Sequence, residues 1–205
     1  MITIIEDLVD VGYQNYIRGI VENSQLPLFW NKATTYGTAS AGRSVTDPNT
    51  KEDYQLTHIF LRDNKPLSEL WSSFSPISAF LMARTGVGTG NDVLMRRAKL
   101  NVNPRMAHYK KNEYFTPHLD IEGAKGITAI YYLNDADGDT LFFENPKEPE
   151  YANGNVTIPY ELKVIERIRP KQGTLVYFDN SILHSGQPPQ ESSYRSVINL
   201  NWIKV

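Results

Sequence analysis

From about residue 90 onward the chain is a series of short runs rich in β-branched and aromatic residues: LMRRAKLNV, GITAIYYL, DTLFFE, TLVYF and RSVINLNWI. Turn residues separate them, most plainly NDADGD at 134–139, so the runs read as strands. The earlier part has another period. Residues 6–22 place Leu8, Val9, Tyr13, Tyr16, Ile17 and Ile20 at helical spacing. A second helical region covers 66–84, and Pro76 after Ser75 suits a fresh helix start, which predicts two short helices there.

Helices first and many strands afterwards predict a mainly β, α+β fold, an antiparallel sandwich or jelly roll with helices packed on one sheet. GITAIYYL is apolar on both faces and should be covered on both. The last strand divides cleanly. Ser196, Ile198, Leu200 and Trp202 share a face that reads as core, and Arg195, Val197, Asn199 and Asn201 share the other. That second face is either wet or lines a polar cavity.

With 205 residues, 40% of them hydrophobic, the chain is long enough for a sizeable core and is expected to form one domain. A net charge of −2 with mixed signs gives no footprint for nucleic acid. The first ten residues are acidic and lack a secretory pattern, and no window reaches the roughly 18 apolar residues of a membrane span. The expectation is a soluble cytoplasmic protein with no membrane partner. There are no cysteines, so a transition metal must be held by His, Asp or Glu.

His118 and Asp120 lie two apart in YFTPHLDIEG, a segment too interrupted by Pro and Gly for a helix. In an extended chain they point the same way, about 6.6 Å apart along the strand, and can converge on one ion. His-x-Asp alone is weak. DNSILHSGQPP adds His184 after the strand TLVYF, which a double sheet can bring close. Two imidazoles and one carboxylate leave three adjacent positions of an octahedral ion open, the facial triad of non-heme iron oxygenases. His58 reads as an ordinary strand residue, and His108 as core or as support for the site. Ferrous iron with Asp120 carries about one net positive charge, and a bound 2-oxoglutarate would bring two negative ones. Arg195, whose planar fork suits a carboxylate, would then neutralise the assembly and make a cavity the better reading of its strand face.

Residues from about 95 to 203 resemble the Fe(II)/2-oxoglutarate-dependent dioxygenases, in particular the prolyl 4-hydroxylase-like branch. The motifs that carry the resemblance are AHYKKNEYFTPHLD, AIYYLNDADGDTLFFE, IRPKQGTLVYFDNSILHSGQP and YRSVINLNWI. The resemblance implies a double-stranded β-helix core at 91–205, with 1–90 as helical support and substrate rim. It implies iron on His118, Asp120 and His184, the distal carboxylate of 2-oxoglutarate on Arg195, and cosubstrate hydrogen bonds from Tyr109 and Tyr132. Dioxygen is the other cosubstrate, and related enzymes often use ascorbate to rescue oxidised iron. The implied substrate is a peptidyl proline or similar residue, the alternative a free amino acid or other small metabolite. Members acting on nucleic acid carry a second arginine six residues after the first, where this chain has Asn201. A non-catalytic metal-binding jelly roll is the reading from another class, and Arg195 speaks against it. Loops 34–53 and 145–158 are candidate rims of the site. Asn199 and Leu141 fall in the same neighbourhood without being expected to act as ligands. The chain departs from the family in ESSYRSV, where a glycine commonly precedes the arginine, which leaves the geometry of that loop to be found.

Overall fold

The computed structural model describes residues 1–23, 25–34, 44–90, 92–121, 123–146 and 156–205. Its elements in chain order are β1 (Ile2–Ile5), α1 (Val11–Glu22), β2 (Phe29–Asn31), β3 (Val45–Thr46), β4 (Gln55–Arg62), β5 (Lys65–Pro66) and α2 (Trp71–Thr85). They continue with β6 (Val93–Pro104), β7 (Gly126–Tyr132), β8 (Thr140–Phe143), β9 (Val156–Thr157), β10 (Val164–Ile168), β11 (Leu175–Asp179), β12 (His184–Gly186) and β13 (Tyr194–Lys204). The large sheet has eight strands, in the order β1-β11-β7-β13-β6-β4-β2 with β5 paired to β4. A three-stranded sheet, β10-β8-β12, faces it, and β3 pairs in parallel with β9. Among the described residues no helix is long and apolar enough to cross a membrane.

The outer face of the large sheet carries both helices. Ile17 and Val21 of α1 and Phe74, Ile77 and Leu81 of α2 share a core with Ala98, Leu100, Ala129, Tyr131, Ile198 and Leu200. Phe74, Ile77 and Leu81 have no exposed surface, and burial of each contributes about 1.5–3 kcal/mol relative to exposure. The inner face packs on the small sheet through Ile130, Tyr132, Phe142, Val176, Phe178 and Val197. GITAIYYL is thus covered on both sides, as its composition requires.

Two helix boundaries differ from the sequence reading. Helix α1 starts at Val11, because the Asp10 carboxylate accepts the Tyr13 N–H at 3.0 Å and caps it there. Leu8 and Val9 reach the core from the lead-in instead, and Tyr16 is exposed. Helix α2 is one helix with Pro76 inside it. Proline cannot donate to the Ser72 carbonyl, but the Ser75 hydroxyl does so at 3.4 Å, which lets the helix run through.

Residues 1–90 add β1, β2, β4 and β5 to the large sheet. Of the two expected rim loops, 35–43 and 147–155 lie outside the described residues. Their inner ends meet, since Val45 pairs with Val156, and Ser44 forms a bridge to His118.

Candidate metal centre and its cavity

His118 and His184 are held by backbone before any side chain acts. The two residues form an antiparallel bridge, with the His118 N–H donating to the His184 carbonyl at 2.9 Å and the reverse bond at 3.1 Å. Each ring then spends its Nδ1–H on a local carbonyl, His118 on Thr116 at 3.0 Å and His184 on Ile182 at 3.1 Å. That fixes the tautomer and turns both Nε2 lone pairs towards Asp120. His118 Nε2 stands 3.8 Å from Asp120 Oδ1, and His184 Nε2 stands 3.6 Å from Oδ2. The ligand atoms of all three residues lie within 4.8 Å of one another. Two neutral nitrogens and one hard oxygen in that space fit a divalent ion such as ferrous iron.

The protonation states agree with that fit. Burial, followed by the neighbouring His184, pushes His118 down to about 4, so its imidazole is neutral at neutral pH. Burial works to raise Asp120, yet the approach of His184 and the charge of Arg97 outweigh it and hold the carboxyl well below its ordinary range. Asp120 is oriented from behind by four donors. Arg97 Nη2 donates to Oδ1 at 2.7 Å, while Asn201 and Asn199 donate to Oδ2 at 3.0 and 3.1 Å, and Thr128 at 3.3 Å.

The triad opens on a cavity of about 310 Å3 between the two sheets. Arg195 lies in its wall, 4% exposed. Its Nε donates to the Gly138 carbonyl at 2.8 Å and its Nη2 to the Thr140 hydroxyl at 2.7 Å. Among the described residues it makes no ion pair with a carboxylate. Burial pulls its pKa below the ordinary arginine value. A buried cation without a counter-ion, facing a cavity next to a metal centre, is suited to an anionic ligand.

The loop before Arg195 has a support that the sequence did not disclose. The Asp137 carboxylate accepts the N–H groups of Gln190, Glu191 and Ser192 at 2.8, 2.9 and 2.9 Å. Gly138 follows because a Cβ there would meet the Gln187 carbonyl oxygen at 2.3 Å. NDADGD is therefore both a turn and the brace of the arginine loop, and the serines of ESSYRSV are held without a glycine.

The two tyrosines are placed differently from the triad. Tyr132 is fully buried beside the arginine, with the Arg195 guanidinium 5.8 Å from its ring, and its hydroxyl donates to Thr140 at 2.7 Å. Burial pushes its pKa up to about 12. Tyr109 packs with Met106 and Phe115 and donates to the Lys51 carbonyl at 2.5 Å. Neither ring is part of the cavity lining. Leu141 belongs to the apolar core, whereas its neighbour Thr140 lines the cavity. His58 is a strand residue bonded to Pro27 and Ser68. His108 is neither core nor support for the site, as it is exposed and pairs with Asp53 at 2.9 Å.

Arg97, Lys99, Asn101 and Asn103 of β6 also line the cavity. Their signal was present as a period of two, since they alternate with Ala98, Leu100 and Val102, which enter the helix-covered core. Burial, then the Arg97 charge, pushes Lys99 down to about 7.

Residues 104–204 match the family described as the 2OG-Fe(II) oxygenase superfamily, a span that includes all three ligand residues and Arg195. The chain belongs to the 2OG-Fe(II) oxygenase superfamily. No curated protein matches it. Among solved structures, it is similar to a 2OG-Fe(II) oxygenase family oxidoreductase of Burkholderia pseudomallei, at 13% identity and TM-score 0.58, covering 98% of this chain and 85% of that one. It is also similar to a prolyl hydroxylase of Trichoplax adhaerens in complex with a peptide fragment of hypoxia inducible factor, at 14% identity and TM-score 0.57, covering 99% and 83%. HygX of Streptomyces hygroscopicus, with nickel and 2-oxoglutarate bound, shares 9% identity at TM-score 0.59, covering 100% and 83%. At these identities the likeness establishes the double-stranded β-helix fold of the oxygenase.

Proposed function

We propose that this oxygenase is an Fe(II)- and 2-oxoglutarate-dependent hydroxylase of an unactivated carbon. The single observation that supports this most is the convergence of His118, Asp120 and His184 beside a buried, counter-ion-free Arg195. His118, Asp120 and His184 would hold ferrous iron, and Arg195 the distal carboxylate of 2-oxoglutarate. When bound, iron and 2-oxoglutarate supply the oxidising chemistry, in which dioxygen yields a hydroxylated product, succinate and carbon dioxide. The protein's own groups position and exclude. Thr116 and Ile182 carbonyls accept from Nδ1 and so orient both Nε2 atoms towards Asp120, Arg97, Asn199 and Asn201 fix the carboxylate, and the apolar inner core of Ile130 and Val197 bounds the cavity. In this reading Tyr132 positions Thr140 and thereby Arg195, and Tyr109 ties the 51–54 segment to the core. Residues 1–90 provide support and substrate rim to the catalytic core at 91–205.

Two substrate readings divide on the cavity wall. A peptidyl proline or similar residue is supported by the prolyl hydroxylases among the similar folds. A free amino acid or other small metabolite is supported by a lining rich in charged and amide side chains, Arg62, Arg97, Lys99, Asn101 and Asn103, and by the likeness to HygX, a structure of which holds hygromycin B.

The test is succinate release from 2-oxoglutarate with ferrous iron and ascorbate, together with ligand binding. Arg195→Ala should weaken 2-oxoglutarate binding by about 100-fold or more while metal affinity stays within a few-fold. Equal 2-oxoglutarate affinity in the variant and the parent would rule out this role for the arginine.

A further inference from the structure

The cavity holds more positive charge than its assigned ligands use. Three arginines, Arg62, Arg97 and Arg195, and one lysine, Lys99, whose charge an anion would favour, line it against one acid, Asp120, among the described residues. Arg97 is committed to Asp120 and to Asn201. Arg195 is the partner of the cosubstrate under the reading above. Lys99, half-buried, and Arg62, exposed, remain, and among the described residues neither makes a hydrogen bond or ion pair through its side chain. The sheet register sets them diagonally across two adjacent strands. Ile59 is opposite Lys99 and Arg62 is opposite Arg97 on adjacent strands, with a bulge between Ile59 and Leu61 that turns Arg62 back to the cavity face.

Next to them three buried amide atoms have no partner, Asn101 Oδ1, Asn103 Nδ2 and Asn199 Oδ1. Asn103 and Asn199 are 3% and 6% exposed, and all three residues line the cavity. Unsatisfied buried polar atoms are costly unless a ligand completes them. Like charges on neighbouring strands are destabilising for the same reason. The wall is therefore built for a polar ligand that arrives with negative charge.

We infer that the primary substrate carries an anionic group, a carboxylate or a phosphate, that pairs with Lys99 and Arg62 while the amides of β6 bind its polar body. The inference rests on the dioxygenase reading and narrows its substrate class. A neutral prolyl side chain within a peptide would leave Lys99 without a counter-ion in the cavity and the exposed Arg62 to water.

The test uses matched probes on protein loaded with Mn(II) and 2-oxoglutarate and followed by calorimetry. N-acetyl-L-proline is compared with its amide, and glycerol 3-phosphate with glycerol. The anionic member of at least one pair binds about 10-fold or more tightly than its neutral partner, and which pair responds separates carboxylate from phosphate. Lys99→Met and Arg62→Met each remove that preference. Arg96→Met, which deletes the same charge from the outward face of β6, keeps it. Equal binding of the charged and neutral members in both pairs overturns the inference. So does a Lys99→Met protein that loses affinity for 2-oxoglutarate and not for the anionic probe, because Lys99 would then serve the cosubstrate. Failure of the parent protein to bind 2-oxoglutarate with Mn(II) present is a different result, and it refutes the dioxygenase reading itself.

Discussion

At the scale of single residues, the centre is ordered by neutral hydrogen bonds as much as by charge. Asn201 donates to Asp120 and to Thr128 and accepts from Arg97, so one amide fixes the carboxylate and the guanidinium together. Asn201→Leu changes no charge and should lower Mn(II) affinity by about 10-fold, the low end of the loss seen when the support of a metal ligand is removed. Calorimetric titration of the variant checks this, and parent-like affinity would show that the remaining donors suffice. Asp137 gives a prediction with a pH signature. Burial would raise its pKa, but three backbone N–H donors depress it below the ordinary carboxylate range. A group whose folded pKa is depressed stabilises the fold above its unfolded value, near 4, and loses that contribution as pH falls through the folded value. Asp137→Asn should therefore cost about 1–2 kcal/mol at pH 7, after allowance for its partial exposure, and measurably less near pH 3, where the loss has begun. Urea denaturation at the two pH values measures the difference, and an equal cost at both would assign the effect to shape alone.

Among the elements, α2 and β6 show how local rules are overridden or used. Pro76 looks like a helix boundary, and in isolation it would be one. Here the apolar face formed by Phe74, Ile77 and Leu81 is buried as a single stripe, and the Ser75 hydroxyl replaces the missing donor. Pro76→Ala should restore a backbone hydrogen bond and raise stability by about 1–2 kcal/mol, less than the ~3 kcal/mol of an interior proline because Ser75 already covers part of the loss. Chemical denaturation with an unchanged m-value would bear this out, and a destabilised variant would mean the ring itself is needed for packing. Strand β6 behaves as its alternation dictates. Arg96 turns outward to Asp63 and Arg97 turns inward to Asp120, adjacent residues with opposite duties. Nothing in the pair RR says which is which. The helix-side burial of Ala98, Leu100 and Val102 does.

For the molecule as a whole, the metal centre joins segments that are distant in sequence. His118 and Asp120 precede β7, His184 opens β12, and Asn199 and Asn201 come from β13. A divalent ion bound there should link the small sheet to the large one and stabilise only the folded state. At a metal concentration of 100 times Kd the gain is about 2.7 kcal/mol, roughly 5–10 °C in Tm for a chain of this size. Thermal melts with Mn(II) and after chelation should differ by that amount, and His184→Ala should remove the difference. A metal-independent Tm in the parent protein would mean that the folded chain holds no such ion, and a shift that survives in His184→Ala would place it elsewhere.

The sequence by itself determined the features whose cause is local. These are the strand and turn punctuation, the same-side projection of His118 and Asp120, the two faces of β13 and the double cover of GITAIYYL. Each follows from backbone geometry within a few residues. The tertiary structure alone decided the rest. It joined Arg97 to Asp120, made Asp137 the brace of the arginine loop, placed the Tyr109 hydroxyl on Lys51, put His108 at the surface, and left the side chains of Lys99 and Arg62 without a partner among the described residues. The reason is physical: a side chain's partner across a sheet or between sheets is set by register and packing, and the interaction with that partner exists only once the chain has closed on itself.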